Sequence, residues 1–390
     1  MNMNVVFDLW LGAAPWPSVR TSTKCSIGGG FSPAHLDRNA TQPGMPFRKM
    51  PAGRIGTSRF KNAFLNVLLG MLVALGTSAQ QRGETIVTEL KTGDIIYADS
   101  GNAIEGGCII KVDAHTGQQS VISAGGNLIQ PLAVTLDDQD GIVVSDPGRC
   151  CTLTCIDPAT GQQTNLLRSP DTMLGVPFGL AVARDGSVLV ANGEGIIRID
   201  SKTGSTGVVA SGGSSFRPLG LAVAKNGHLF VLNRTFPNEI IRVHPETGDR
   251  TLVSRGGYLN NPQGITVKDD VLYVTDVASS DGNFGIGRVI RVDAQTGAQT
   301  VVTEGGNLVG PVGIAVDENE QLVVGDPYTI NPASPDLFDG GIVRVDPVSG
   351  AQTLIARGSG SFVNPRGLVV VQKSPSPKFA SATNLRKTEP

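Results

Sequence analysis

A tripeptide that opens with proline returns six times along this chain. It reads Pro131-Leu-Ala133, Pro177-Phe-Gly179, Pro218-Leu-Gly220, Pro262-Gln-Gly264, Pro311-Val-Gly313 and Pro365-Arg-Gly367, at intervals of 46, 41, 44, 49 and 54 residues. Self-similarity at such a period means that each unit is one small module, unable to bury its apolar face alone and completed by its neighbours. The unit from Pro311 shows the grammar most fully. Pro311-Val-Gly-Ile-Ala-Val-Asp317 is followed by Gln321-Leu-Val-Val-Gly-Asp326, Gly341-Ile-Val-Arg-Val-Asp346 and Gln352-Thr-Leu-Ile-Ala356. Short runs of Val, Ile, Leu and Thr bounded by Gly, Asp and Pro read as strands. Several are continuously apolar, as expected where sheets cover both faces of a sheet.

Four strands in about 45 residues, repeated around an axis, predict an all-β chain folded as a six-bladed β-propeller. No segment after Ala79 carries a 3.6-residue period, which excludes a helical solenoid. The first unit supplies only three strands, around Asp94–Asp99, Cys108–Asp113 and Gln119–Ser123. The missing one stands at the far end, Pro365-Arg-Gly-Leu-Val-Val-Val-Gln372, so the carboxy-terminal strand is expected to pair with the first blade and close the ring, removing both sheet edges. Glu84-Thr-Ile-Val-Thr88 is a rival for that place without the tripeptide.

The third and fourth strands of each unit are joined by a pentapeptide. The copies start at Asp113, Asp157, Asp200, His244, Asp293 and Asp346 and end on glycine. Aspartate accepts turn amides and glycine takes the left-handed position, so these are expected to be turns.

Charge divides the chain unevenly. Residues 1–79 hold eight basic and two acidic groups, leaving 80–390 with a net charge of −8. An acidic body repels phosphate backbones, so no nucleic-acid partner is expected. Arg54, Arg59 and Lys61 precede an apolar run from Ala63 to Gly76, and Thr77-Ser-Ala79 follows it. Basic flank, short apolar core and small-residue exit describe a secretory signal peptide. The run falls short of the roughly twenty residues that cross a bilayer, so no stable transmembrane span is expected. The expected organisation is a spurious or disordered extension over 1–44, a signal peptide over 45–79, the propeller over 80–372 and a disordered tail over 373–390. The expected location is secreted or periplasmic.

The motifs Pro-x-Gly-Ile-Ala-Val-Asp, Leu-x-Val-x-Asp and Arg-Val-Asp-Pro-x-Thr-Gly, across roughly 95–372, resemble those of the NHL-repeat and gluconolactonase/regucalcin-like six-bladed propellers. In lactonases of that group, carboxylates and Asn at the middle position of Pro-x-Gly help hold a metal ion. The matching residues here are Leu132, Phe178, Leu219, Gln263, Val312 and Arg366, none of them a carboxylate. The resemblance therefore implies no metal site and no cofactor. Related lyases use histidines; here His115, His228 and His244 fall in or beside turns on the opposite face, and His35 lies in the leader. No catalytic residue is assigned, and the chain is expected not to be an enzyme.

Asp99, Asp146, Asn192, Asn233, Asp276 and Asp326 end the second strands as an acidic ring, read either as a ligand site or as caps for loop amides. The long loops Val277–Gly287 and Pro327–Gly340 are the variable, ligand-facing parts. Tentative ligand-binding residues are Asp281, Phe284, Tyr328, Asp336 and Phe338 on those loops, with Gln263 and Arg366 at the channel mouth. Cys108 begins the strand equivalent to that of Cys150 and Cys151 in the next blade. A disulfide, Cys108 to Cys151 or Cys150, is expected in an oxidising compartment, with free buried thiols as the alternative. Asn233-Arg-Thr235 is a glycosylation sequon. The function expected is recognition or scaffolding of a protein or small-molecule ligand. The alternatives are a lactonase-like hydrolase or lyase with an unrecognised site on the top face, and a sensor or stalk module.

Overall fold

The computed structural model of the chain describes residues 89–102, 106–148, 151–168, 174–201, 203–278, 284–331, 334–358 and 364–372. The expected leader, the rival strand at Glu84–Thr88, the tail and Asp281 lie outside them.

Six four-stranded antiparallel sheets make up the fold, and the described residues hold no α-helix. In chain order, β1 (Ile95–Asn102), β2 (Gly106–Val112) and β3 (Gln119–Ala124) belong to blade one. Blade two runs from Ala133 to Arg168, blade three from Gly179 to Ser211, blade four from Pro218 to Arg255, blade five from Pro262 to Glu304 and blade six from Gly313 to Arg357. The last strand, Pro365–Val370, pairs with β1, placing Tyr97 opposite Leu368 and Ile95 opposite Val370. Carboxy-terminal closure of the ring is therefore observed. The long blade-six loop carries a two-stranded hairpin of Ile330–Asn331 with Ser334–Phe338.

The continuously apolar strands are explained by six hydrophobic clusters, one in each gap between neighbouring blades. Alternate residues of one strand enter different clusters. Ile109 packs with Val134, Ile142 and Ile156 of blade two, whereas Cys108 and Ile110 pack with Val323, Ile342 and Ala356 of blade six. This alternation corrects the cysteine expectation. Cys108 is a buried free thiol, and the Cys108–Cys151 bridge is not formed, because the Cys108 side chain faces blade six while Cys151 belongs to blade two. Burial, reinforced by nearby Asp99, pushes the Cys108 thiol up to about 12.

The pentapeptides are turns. Asp113 Oδ1 accepts the amides of His115 at 3.0 Å and Thr116 at 2.8 Å, and Asp157, Asp293 and Asp346 repeat the pair. In blade four the imidazole Nδ1 of His244 replaces the carboxylate, accepting the Glu246 and Thr247 amides at 3.2 Å. The closing glycines sit at φ near +70°, and a Cβ on Gly297 would meet the Val253 carbonyl of the preceding blade at 2.0 Å. Four glutamines add a clamp between blades. Gln299 Oε1 accepts the Tyr258 amide at 2.7 Å, and its amide group donates to Ser254 Oγ and the Gly256 carbonyl. Gln163 and Gln352 repeat this, and Gln119 donates to the Arg357 carbonyl across the closure.

Candidate functional site

The innermost strands neighbour one another in a ring, and the Pro-x-Gly tripeptides start them at the top face. A Cβ on Gly264 would lie 2.2 Å from the Val312 carbonyl, and one on Gly313 would lie 2.4 Å from the Arg366 carbonyl. Glycine is thus required at these positions because the inner strand runs against the backbone of the next, whereas blade two accommodates Ala133 at the equivalent place. The middle residues Leu132, Phe178, Leu219, Gln263, Val312 and Arg366 are all half-buried, as expected of side chains lining a narrow tunnel mouth.

The ring at the ends of the second strands resolves towards capping. Asp146 Oδ2 accepts the amides of Ile129 and Gln130, in the connection entering its blade, at 2.6 and 2.8 Å, while Oδ1 takes Gly148. Asp326 takes Val309, Gly310 and Tyr328, and Asp99 takes Gly101 and Asn364. Asn192 and Asn233 do the same through their amide oxygens. All six are buried. Desolvation pushes the Asp326 carboxyl up to about 6 against the pull of its three amides, and raises Asp99 likewise. The sequon is closed by the same geometry. Asn233 is 2 % exposed, and its Nδ2 donates to the Ser215 carbonyl and to Glu239, leaving no room for a glycan.

Of the tentative ligand residues, Tyr328 and Arg366 are brought together. Their side chains hydrogen-bond, and Arg366 Nε also approaches Ser100 Oγ at 3.3 Å with Asp99 nearby. Desolvation lowers the Arg366 guanidinium from its ordinary range, opposed by Tyr328 and Asp99. Gln263 belongs to a second cluster. Its Nε2 donates to Asn261 Oδ1 at 2.8 Å, an oxygen that Arg234 Nη2 also reaches at 3.5 Å. Phe284 opens a strand of blade five, and Asp336 and Phe338 lie in the blade-six hairpin. Their side chains lie outside the described ones.

Residues that the sequence reading passed over complete the top face. Arg217 and Arg234 are exposed neighbours, linked by a 2.9 Å bond from the Arg234 amide to the Arg217 carbonyl. Phe236 is 103 % exposed, and Ile129, Val176, Tyr258 and Ile286, between 38 and 45 % exposed, lie on the same face. A signal was present in the repeat: Arg234 directly follows its ring residue, where blades one and two have Ser100 and Pro147.

The histidines occupy the other end. His228 and His244 meet edge-on at 5.3 Å beside Arg242 and Asp249, lining a cavity of about 300 Å³ at the bottom of blade four. Among the described residues, no three His, Cys, Asp or Glu side chains form a group that could hold a metal ion, and no helix is long and apolar enough to cross a membrane.

No protein-family model and no curated protein matches the sequence. The fold has counterparts among solved structures. A chain of the crystal structure of a nidogen/laminin complex superposes with a TM-score of 0.54 at 15 % identity, covering 70 % of this chain and 97 % of that one. At that identity the likeness speaks for the architecture alone.

Proposed function

We propose that this chain is a recognition or scaffolding propeller without catalysis of its own, working outside the cytoplasm and binding a protein partner through its top face. The reading rests chiefly on the five large apolar side chains exposed on that face, Ile129, Val176, Phe236, Tyr258 and Ile286. Five of the eight large apolar side chains exposed among the described residues stand on this one face, spread from the connection entering blade two to the third strand of blade five, and an interaction surface would use them together. The ring carboxylates supply the complementary argument: their oxygens hold loop amides, which makes them scaffold rather than chemistry. A protein complex among the structural counterparts is compatible with this use. The export signal read at Ala63–Ala79 supports a secreted or periplasmic location, and the repeat motifs support kinship with the NHL-repeat and gluconolactonase-like propellers.

Immobilised full-length protein, offered candidate cell-surface proteins and glycans, should show saturable binding that weakens when Pro327–Gly340 is shortened or Phe236 is changed to Ser. Binding indifferent to both changes would remove the top face from the proposal. A second reading, a lactonase-like hydrolase or lyase, has one observation in its favour: Arg366, Tyr328 and Asp99 converge at the tunnel mouth. Turnover of a lactone or ester, abolished by Arg366→Gln, would establish it and overturn the first reading.

A further inference from the structure

Charge varies from blade to blade at the two ends of the propeller. The bottom turns of blades two, five and six carry Asp137, Asp138, Asp269, Asp270, Asp317 and Glu318, of which Asp269 is paired with Lys225 and Asp317 with Arg344. The top of blade four is the reverse. Arg217, Arg234 and Arg255 are exposed there, and the buried Glu239 is held by Arg255 Nε at 2.7 Å and by Asn233. Other described carboxylates near this sector are exposed Glu194 on the adjoining loop of blade three and, in blade five, Asp276 and Glu304, which flank Arg288. Arg217 and Arg234 place two positive charges here, Arg234 lowered from its ordinary range by partial desolvation of its guanidinium, on a body whose net charge is −8 from residue 80 onward.

Resting on the binding reading above, we infer that the top of blade four, centred on Arg217, Arg234 and Phe236, receives an acidic polypeptide segment of the partner protein. The guanidinium is suited to a carboxylate, which it holds by paired N–H donors. Asn261 and Gln263 fix the position of Arg234 beside the tunnel mouth. Phe236, fully exposed two residues beyond Arg234, and Tyr258, 38 % exposed, offer apolar contact that a carboxylate-bearing side chain chemistry alone would not use. Arginine and aromatic residues together are the composition of interface centres. A polypeptide is favoured over a polyphosphate or a sulfated glycan for that reason, and because the acidic remainder of the body repels a long polyanion.

The probe is a fluorescein-labelled dodecapeptide alternating Glu with Leu, titrated with the full chain and followed by anisotropy. Its Gln-Leu and Lys-Leu counterparts, a twelve-residue oligothymidylate and a heparin dodecasaccharide form the other arms. The Glu-Leu peptide should bind at least tenfold more tightly than either counterpart and than both polyanions, and should weaken as salt rises. The R217E/R234E double variant should lose at least tenfold, Phe236→Ser several-fold, and the bottom-face control Lys225→Glu nothing. Circular dichroism checks that each variant keeps its strands. Equal affinity for the Gln-Leu peptide, preference for either polyanion, or full binding by R217E/R234E would each overturn the inference. In those cases Phe236-dependent capture of a protein partner would still leave the recognition reading standing, whereas loss of all capture would remove that reading instead.

Discussion

Blades four and five solve one electrostatic problem with opposite signs. In blade four the third strand opens on Glu239, which the sheet register places opposite Arg255 of the fourth strand. In blade five the same two positions hold Arg288 and Glu304, again directly opposed. The ring residue at the end of the second strand follows the charge beside it. Blade four has neutral Asn233, whose Nδ2 donates to Glu239 at 2.9 Å. Blade five has Asp276, with an oxygen 3.7 Å from the Arg288 guanidinium. Asp and Asn are therefore not interchangeable caps. Both oxygens can hold a loop amide, but only one of the two residues can stand beside a buried carboxylate. Blade six is a third case: its third strand opens on Gly341, no cation answers Asp326, and desolvation dominates.

The largest effect is expected where the charge is deepest. Arg288 is fully buried, donates to the Tyr258 carbonyl at 2.9 Å and lies 3.8 Å from Glu304. Arg288→Ala opens a cavity and strands Asp276, and urea unfolding should register a loss of about 3–5 kcal/mol. A loss below about 1 kcal/mol would mean that the buried Arg288–Asp276 pair is not coupled. Next comes Asn233→Asp, which sets two carboxylates side by side and should cost about 2–4 kcal/mol at neutral pH. Two carboxylates so close share a proton, raising the folded-state pKa above the unfolded one. The loss should therefore shrink below roughly pH 5 and vanish in N233D/E239Q. Persistence of the full loss in the double variant would point to sterics instead of charge.

Asp326 yields a pH profile of comparable size. Its folded pKa, about 6, lies above the ordinary 3.8, so the native state binds more protons than the unfolded chain between those values. Its contribution to stability is fully present below the unfolded value and is lost as pH rises through 6, roughly 3 kcal/mol in all. The difference in stability between pH 4 and pH 6.5 should shift accordingly in Asp326→Asn, and identical profiles for the two proteins would refute the assignment. The exposed pentapeptide aspartates run the other way. Amides of Thr116 and His115 hold Asp113 below the usual carboxylate range, so its support is lost as pH falls through that lowered value. The smallest effect belongs to Arg255→Gln. The Arg255 side chain is 56 % exposed, and solvent screening limits its removal to about 1 kcal/mol at most, a loss that salt should reduce further.

The architecture was legible because it is written six times. Each proline tripeptide marks an inner strand, each pentapeptide a bottom turn, and the stranded Pro365–Gln372 segment announced the closure seen at Tyr97 and Leu368. The candidate site was legible in part. Tyr328 and Arg366 do meet at the tunnel mouth, but Gln263 turned out to belong with Arg234, a residue separated from it by a blade boundary. The expected Cys108–Cys151 bridge did not form, because equivalent strand positions in neighbouring blades do not imply facing side chains. Gln299 looked like an ordinary strand residue, and its clamp on the previous blade's loop becomes visible only when the blades are stacked.

Sequence alone determined the number of blades, the strand order within each and the segment that completes the ring, since these follow from local apolar runs and turn chemistry repeated in register. Tertiary structure decided what the repeated polar positions do. Whether a ring residue is Asp or Asn depends on the charge that the third strand of its own blade sets beside it, and why the tunnel glycines must lack a Cβ depends on backbone contributed by the adjacent blade. Those atoms lie across a sheet or across a blade boundary yet only a few ångströms away in space, and burial there sets the energy of every charge they surround.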